Sequence, residues 1–450
     1  MQWFWSIPLM GIPVIAGALA LALLLSVLLI WQRTAAPRRL ASTTLQKRAI
    51  SPRRGWLWSL VGAAAGAALF AITAWLVGDV LKVFGDFVLS LGIVMWVAVG
   101  GAFVGLAVGA VAVPGKKRRW WHVLTAAVLV VVSASTAGLG VNREVGYFVS
   151  PNQILTMFTT TNLPAMPKLH TANAVALSPN WTPPAGAPTR GELVQVDIPA
   201  KISGFEARPA IVYLPPAALT SAPPRLPLLV TFSGQPGSPQ DIFNSGHLAE
   251  IAEGYQKTHG GIAPIIVSPD QLGTPQANPM CSDSAFGKNE TYLMKDVIPW
   301  IRATLPVAQD AAHTAFMGFS QGGTCTVQLG FGHPDVVDTL IPISPQLEPT
   351  IGSKTIARAF DGDQAAFTTN TPLARLSAQG NYPHMTAAFY VGGDDAKYSA
   401  WANTLVDAAR KHGVDATLTY SPGTGHNWHT ASFAMKDSFP FIVSHLGLPQ

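Results

Sequence analysis

At 450 residues the chain exceeds one average domain, and its 49% apolar and only 12% charged residues set it apart from an ordinary soluble enzyme. That composition, with a mean hydropathy of +0.30, excludes a disordered chain and a long coiled coil. The net charge of +5 is unevenly placed: residues 1–140 hold 12 basic and 2 acidic side chains, residues 141–450 hold 17 and 22. The larger part is therefore acidic, which excludes a nucleic-acid-binding domain.

Four apolar stretches, 8–31, 56–77, 87–113 and 120–140, are each long enough to cross a bilayer as a helix. The first has no basic residue ahead of it and is followed by three more, so it reads as a span rather than a cleaved signal. Arg33, Arg38, Arg39, Lys47, Arg48, Arg53 and Arg54 follow the first span, and Lys116, Lys117, Arg118 and Arg119 follow the third. The loop between spans two and three, with Asp79, Lys82 and Asp86, nearly cancels. The positive-inside rule places both basic loops in the cytoplasm, and the N-terminus and everything after Gly140 outside. Trp3, Trp5, Trp31, Trp56, Trp58, Trp120 and Trp121 fall near span ends, where indoles favour the headgroup zone. The span interiors carry no Asp, Glu, Lys or Arg, which argues against a transporter or channel. Gly62 and Gly66, with Gly101, Gly105 and Gly109, recur at four-residue spacing and predict close helix packing within an anchor spanning residues 1–141.

Residues 142–191, rich in Pro, Asn and Thr, read as an irregular connector. From 192 to 450 short apolar runs alternate with helical stretches. Strands are expected at 193–199, 210–215, 226–233, 263–269, 314–319, 339–344, 387–393 and 416–421, and helices around 246–257, 290–304, 321–331, 398–412 and 431–446. The alternation predicts an α/β domain: a mostly parallel sheet covered on both faces, preceded by the four-helix transmembrane domain. A lid is expected from 345–385.

Gly318-Phe319-Ser320-Gln321-Gly322 fits G-x-S-x-G between an expected strand and an expected helix, the context of a nucleophile elbow. A serine nucleophile needs a base, and His426 lies in a glycine-flanked loop after the last expected strand. The acid belongs at the end of the penultimate strand, where Asp394 and Asp395 stand. Asp395, three residues after Gly392, is preferred, with Asp394 the alternative; Asp361 and Asp363 lie too early. One oxyanion donor is expected at the amide of Gln321, the other after the third strand, where Gln235 is preferred over Gly234. His429 reads as a pocket residue, and His426 with His429 lacks further ligands for a metal site. No metal or cofactor is required. Cys281 and Cys325 are the two cysteines, both outside the reducing cytoplasm on this topology, and are expected to form a disulfide.

The stretch from Glu290-Thr291-Tyr292-Leu293 through Pro299-Trp300-Ile301, then Gly318 to Gly323, His333-Pro334 and the His426-Asn427-Trp428 element, resembles the putative-esterase family. That family includes S-formylglutathione hydrolases, feruloyl esterases and mycolyltransferases. Over roughly 200–450 the resemblance implies an α/β-hydrolase fold, ester chemistry and an oxyanion donor at Gln235. Mycolyltransferases use Glu as the acid and lack four spans; the membrane-anchored arrangement looks more like actinobacterial envelope esterases of aminoacyl-lipid metabolism. The expectation is a multi-pass plasma-membrane serine esterase, its catalytic domain extracytoplasmic and its substrate a cell-envelope lipid ester such as an aminoacyl-phospholipid or acylated glycolipid. An acyltransferase acting on a sugar or lipid alcohol and a non-catalytic envelope-binding module are the alternatives.

Overall fold

The computed structural model describes residues 6–34, 52–81, 89–112, 120–158, 163–178 and 181–449. The chain divides into two compact units, Met1–Leu155 and Thr156–Gln450.

The first unit contains four long helices, α1 (Ile12–Thr34), α2 (Pro52–Trp75), α3 (Leu91–Ala112) and α4 (Trp120–Val145). Each is long and apolar enough to cross a membrane. Their outer faces leave Leu24, Leu69 and Val131 more than 60% exposed, a surface that suits hydrocarbon rather than water. Gly62 and Gly66 of α2 lie so near Gly101, Gly105 and Gly109 of α3 that a methyl on any of them would run into a backbone carbonyl of the facing helix. With no side chain between them, the two backbones meet along a shared face. Helix α4 runs five residues past the expected end of its span. Beyond it the Asn142 side chain both donates to the Phe148 carbonyl and accepts from the Phe148 amide, at 2.7 Å each. These bonds fold the turn that leads into a short helix at Pro151–Phe158, where an irregular connector was expected. Lys82, Asp86, Trp3, Trp5 and the basic residues 38–48 and 116–119 lie outside the described residues.

The second unit is built on an eight-stranded sheet. Its strands are β1 (Glu192–Val196), β2 (Ala210–Leu214), β3 (Leu228–Phe232), β4 (Ile265–Ser268), β5 (Thr314–Phe319), β6 (Thr339–Ile343), β7 (Thr386–Gly392) and β8 (Asp415–Ser421). Their spatial order is β1-β2-β4-β3-β5-β6-β7-β8, with β2 antiparallel to both neighbours and the remaining pairs parallel. Every residue of β2 to β6 is buried, as both faces of a covered parallel sheet require, whereas edge strands β1 and β8 mix buried and exposed positions. Covering helices include α5 (Leu248–Gln256), α6 (Ile298–Thr304), α7 (Gln321–Gly332), α8 (Pro372–Gln379), α9 (Ala396–Lys411) and α10 (Trp428–His445). This order, with a helix after most parallel strands, is the α/β-hydrolase fold. The order reverses between β3 and β5, so their carboxyl ends open a crevice. The 345–385 segment contains three short helices, Thr355–Ala359, Gln364–Thr369 and α8.

Candidate active site

Ser320 occupies the turn from β5 into α7 with φ 58° and ψ −115°, a conformation that an L side chain adopts only when its surroundings enforce it. Glycines make the turn possible. A methyl on Gly318 would strike the Gly322 carbonyl, one on Gly322 the carbonyls of Phe232 and Ser233, and one on Gly323 that of Ile343. Helix α7 thus begins pressed under β3 and β6, and the serine stands above the sheet. The amides at the start of this 12-residue helix favour negative charge near the hydroxyl.

His426 reaches the same place from the loop between β8 and α10. Its Nε2 lies 2.7 Å from Ser320 Oγ. The loop is pinned by Thr430, whose hydroxyl donates to the Gly425 carbonyl, and by Asp394 N donating to Thr424 O at 2.9 Å. The imidazole stacks against two aromatic rings. The Phe319 centroid is 5.1 Å away and the Tyr398 centroid 3.9 Å, with interplanar angles of 30° and 27°.

Of the two candidate acids, Asp394 is exposed, whereas Asp395 places Oδ2 3.4 Å from His426 Nδ1, its side chain 10% exposed. This contact is an ion-pair distance without hydrogen-bond alignment. Asp395 also caps α9, its Oδ1 accepting from Tyr398 N at 3.2 Å. Asp363 caps the Gln364–Thr369 helix and Asp361 is exposed; neither joins the cluster. His429, the second residue of α10, is half-buried.

The loop after β3 lies beside Ser320: a methyl built on Gly234 would sit 3.7 Å from Ser320 Cβ. Among the described residues, neither the Gln321 nor the Gln235 amide donates to a backbone oxygen, so both remain able to serve a substrate oxygen. The Gln235 side chain donates to Gln276 O at 2.9 Å, which ties the loop to the next one. Gln271, fully buried and not foreseen from the sequence, donates to Ser233 O at 2.7 Å and to Gln321 Oε1 at 3.1 Å, bridging the two donor segments.

Cys281 and Cys325 are disulfide-bonded with Cα atoms 5.5 Å apart, joining the loop before α6 to the second turn of α7. Gln321, Thr324, Asn278, Met280, Gln346, Pro349 and Thr350 border a shallow depression at the start of α7. Behind it, Glu290 accepts from His333 Nε2 at 2.8 Å and from Arg375 Nη1 at 2.6 Å. Burial pushes the Glu290 carboxyl upward, but these bonds and the Arg375 and His333 charges override it and hold it at about 2. The pairing fastens α8 to the end of α7. Glu290 and His333 were marked in the sequence only as parts of motifs. Their meeting with Arg375, 85 residues from Glu290, carried no local signal.

Residues 206–434 match the sequence model of the family described as Putative esterase. A Corynebacterium glutamicum protein described as uncharacterized is 33% identical over 269 residues, covering 57% of this chain. The chain spans 63% of that relative's length. Solved structures with a similar path include a ferulic acid esterase, at 18% identity and TM-score 0.49 over 57% of this chain and 99% of that one. An S-formylglutathione hydrolase from Agrobacterium tumefaciens is similar at 15% identity and TM-score 0.49, over 58% and 98%.

Proposed function

The chain belongs to the Putative esterase family, and on that premise we propose that it is a membrane-tethered serine esterase in which Ser320, His426 and Asp395 form the catalytic triad. The observation that carries this reading is the 2.7 Å approach of His426 Nε2 to a serine held at a strained strand-to-helix elbow. Ser320 Oγ attacks the ester carbonyl carbon while His426 Nε2 takes its proton. The carbonyl oxygen becomes an oxyanion that accepts from the Gln321 and Gln235 amides. Collapse of the intermediate expels the alcohol, which receives the proton from His426 and leaves an acyl-serine. Water then attacks, its proton passing through His426 back to Ser320 Oγ as the carboxylic acid departs. Asp395 stabilises the imidazolium formed in each half.

The substrate we propose is an ester of a cell-envelope lipid, such as an aminoacyl-phospholipid or an acylated glycolipid. Four membrane-crossing helices support a lipid-borne substrate, because tethering raises the site's effective concentration toward esters in the same bilayer. An extracytoplasmic site is supported by the basic loops and by the disulfide. The test uses the full chain in detergent. A fluorophosphonate probe should label the wild type and not Ser320→Ala, and the wild type alone should cleave a short-acyl nitrophenyl ester. An unlabelled wild type would sink the esterase reading. Acyl transfer to added glycerol would replace hydrolysis by transfer.

A further inference from the structure

We infer that Tyr398 is a positioning residue, its ring setting the plane of the His426 imidazole for proton transfer with Ser320; the inference rests on the assignment of His426 as the proton carrier.

The His426 loop is fixed through backbone atoms of Thr424 and Gly425 and through the Thr430 hydroxyl, none of which touches the imidazole. Rotation about the side-chain bonds remains open to it. A triad acid ordinarily closes that freedom by a directed hydrogen bond to Nδ1. Here Asp395 Oδ2 stands 3.4 Å from Nδ1 and out of alignment, so the carboxylate supplies charge with little direction.

The faces of the ring are more tightly specified. Phe319, 5% exposed, belongs to β5 and cannot shift without the strand. Tyr398, 6% exposed, stacks on the imidazole at 3.9 Å, the nearer of the two rings. Its ring is in turn supported by Trp401 at 4.9 Å and by the buried cluster of Val391 and Ala402. A ring stacked this closely resists tilting of the imidazole more than sliding, and sliding is what the 2.7 Å contact with Ser320 Oγ limits. An electron-rich ring face also favours the imidazolium that forms when the serine proton arrives. Tyr398 and Asp395 share the first turn of α9, so one helix start delivers both the charge and the plane.

The experiment compares wild type, Tyr398→Phe and Tyr398→Leu as full chains in detergent, measuring kcat and KM on a short-acyl nitrophenyl ester and the rate of fluorophosphonate labelling. Tyr398→Phe, which keeps the ring, should stay within about two-fold of wild type. Tyr398→Leu should lose between about 10- and 100-fold in kcat and in labelling rate, the scale of a small misplacement of a reacting group, with KM little changed. Should the leucine variant fail to fold, Tyr398→Met fills the same space without a ring and carries the same expectation. The inference is overturned by a folded leucine or methionine variant with wild-type kcat, by a loss confined to KM, or by a phenylalanine variant as impaired as leucine. Absence of activity and labelling in the wild type would instead overturn the underlying assignment of Ser320 and His426.

Discussion

Asp395 turns its two carboxylate oxygens to different partners, one capping α9 and one facing His426. Asp395→Asn keeps an oxygen for the cap but loses the charge. Its kcat should fall by as much as about 10⁴-fold while the thermal midpoint holds, as a melt beside a kinetic assay would show. Asp394→Asn, at an exposed position, should leave kcat within about two-fold in the same assay. Gly322→Ala probes the elbow itself. The added methyl meets the Phe232 and Ser233 carbonyls, so a loss of about 1–3 kcal/mol in a denaturant titration is expected. Ser320, Asp395 and His426 could be found in the sequence because each sits beside local punctuation: a G-x-S-x-G turn, a strand end with Gly392, a loop with Gly423 and Gly425. The Phe319 and Tyr398 stack had no such marker. Tyr398 follows Asp395 at helical spacing, but only the tertiary path of β5 and the His426 loop makes its ring meet the imidazole.

The strands of the central sheet were legible because burial on both faces demands unbroken apolar runs such as Leu228–Phe232 and Thr314–Phe319. The helices of 345–385 were not, since Thr355–Ala359 and Gln364–Thr369 are only 5 and 6 residues long, too short for a periodic face. They are held by capping, as at Asp363, and by contacts of Phe360 and Phe367 with Met280. Met280 neighbours Cys281, so the disulfide to α7 fixes the loop on which this segment rests. Cys281→Ser with Cys325→Ser should therefore lower stability by about 3–4 kcal/mol, the cost expected for opening a loop of 44-residue separation. A denaturant titration of the double variant against wild type measures it. A change below about 1 kcal/mol would show that packing alone secures the loop.

The two units place their apolar side chains oppositely. The four long helices, each apolar enough to cross a membrane, are apolar outward, and the second unit is apolar inward around its sheet. In the second unit acid stability depends on Glu290, whose carboxyl titrates near 2 when folded against an ordinary value of 4.5. Stabilisation from Arg375 and His333 is complete above about pH 4.5 and lost as the pH falls toward 2, a contribution of up to about 3 kcal/mol. Glu290→Gln should lower stability at neutral pH and flatten the acid limb between those values in a pH-dependent denaturation series. The bond between Cys281 and Cys325 also makes the route of manufacture an experimental variable. Protein harvested from a reducing cytosol would carry two thiols where the structure has a staple, and the loop that holds Met280 would be looser in the test tube. Sluggish turnover by such material would report on the host chosen to express it rather than on the enzyme.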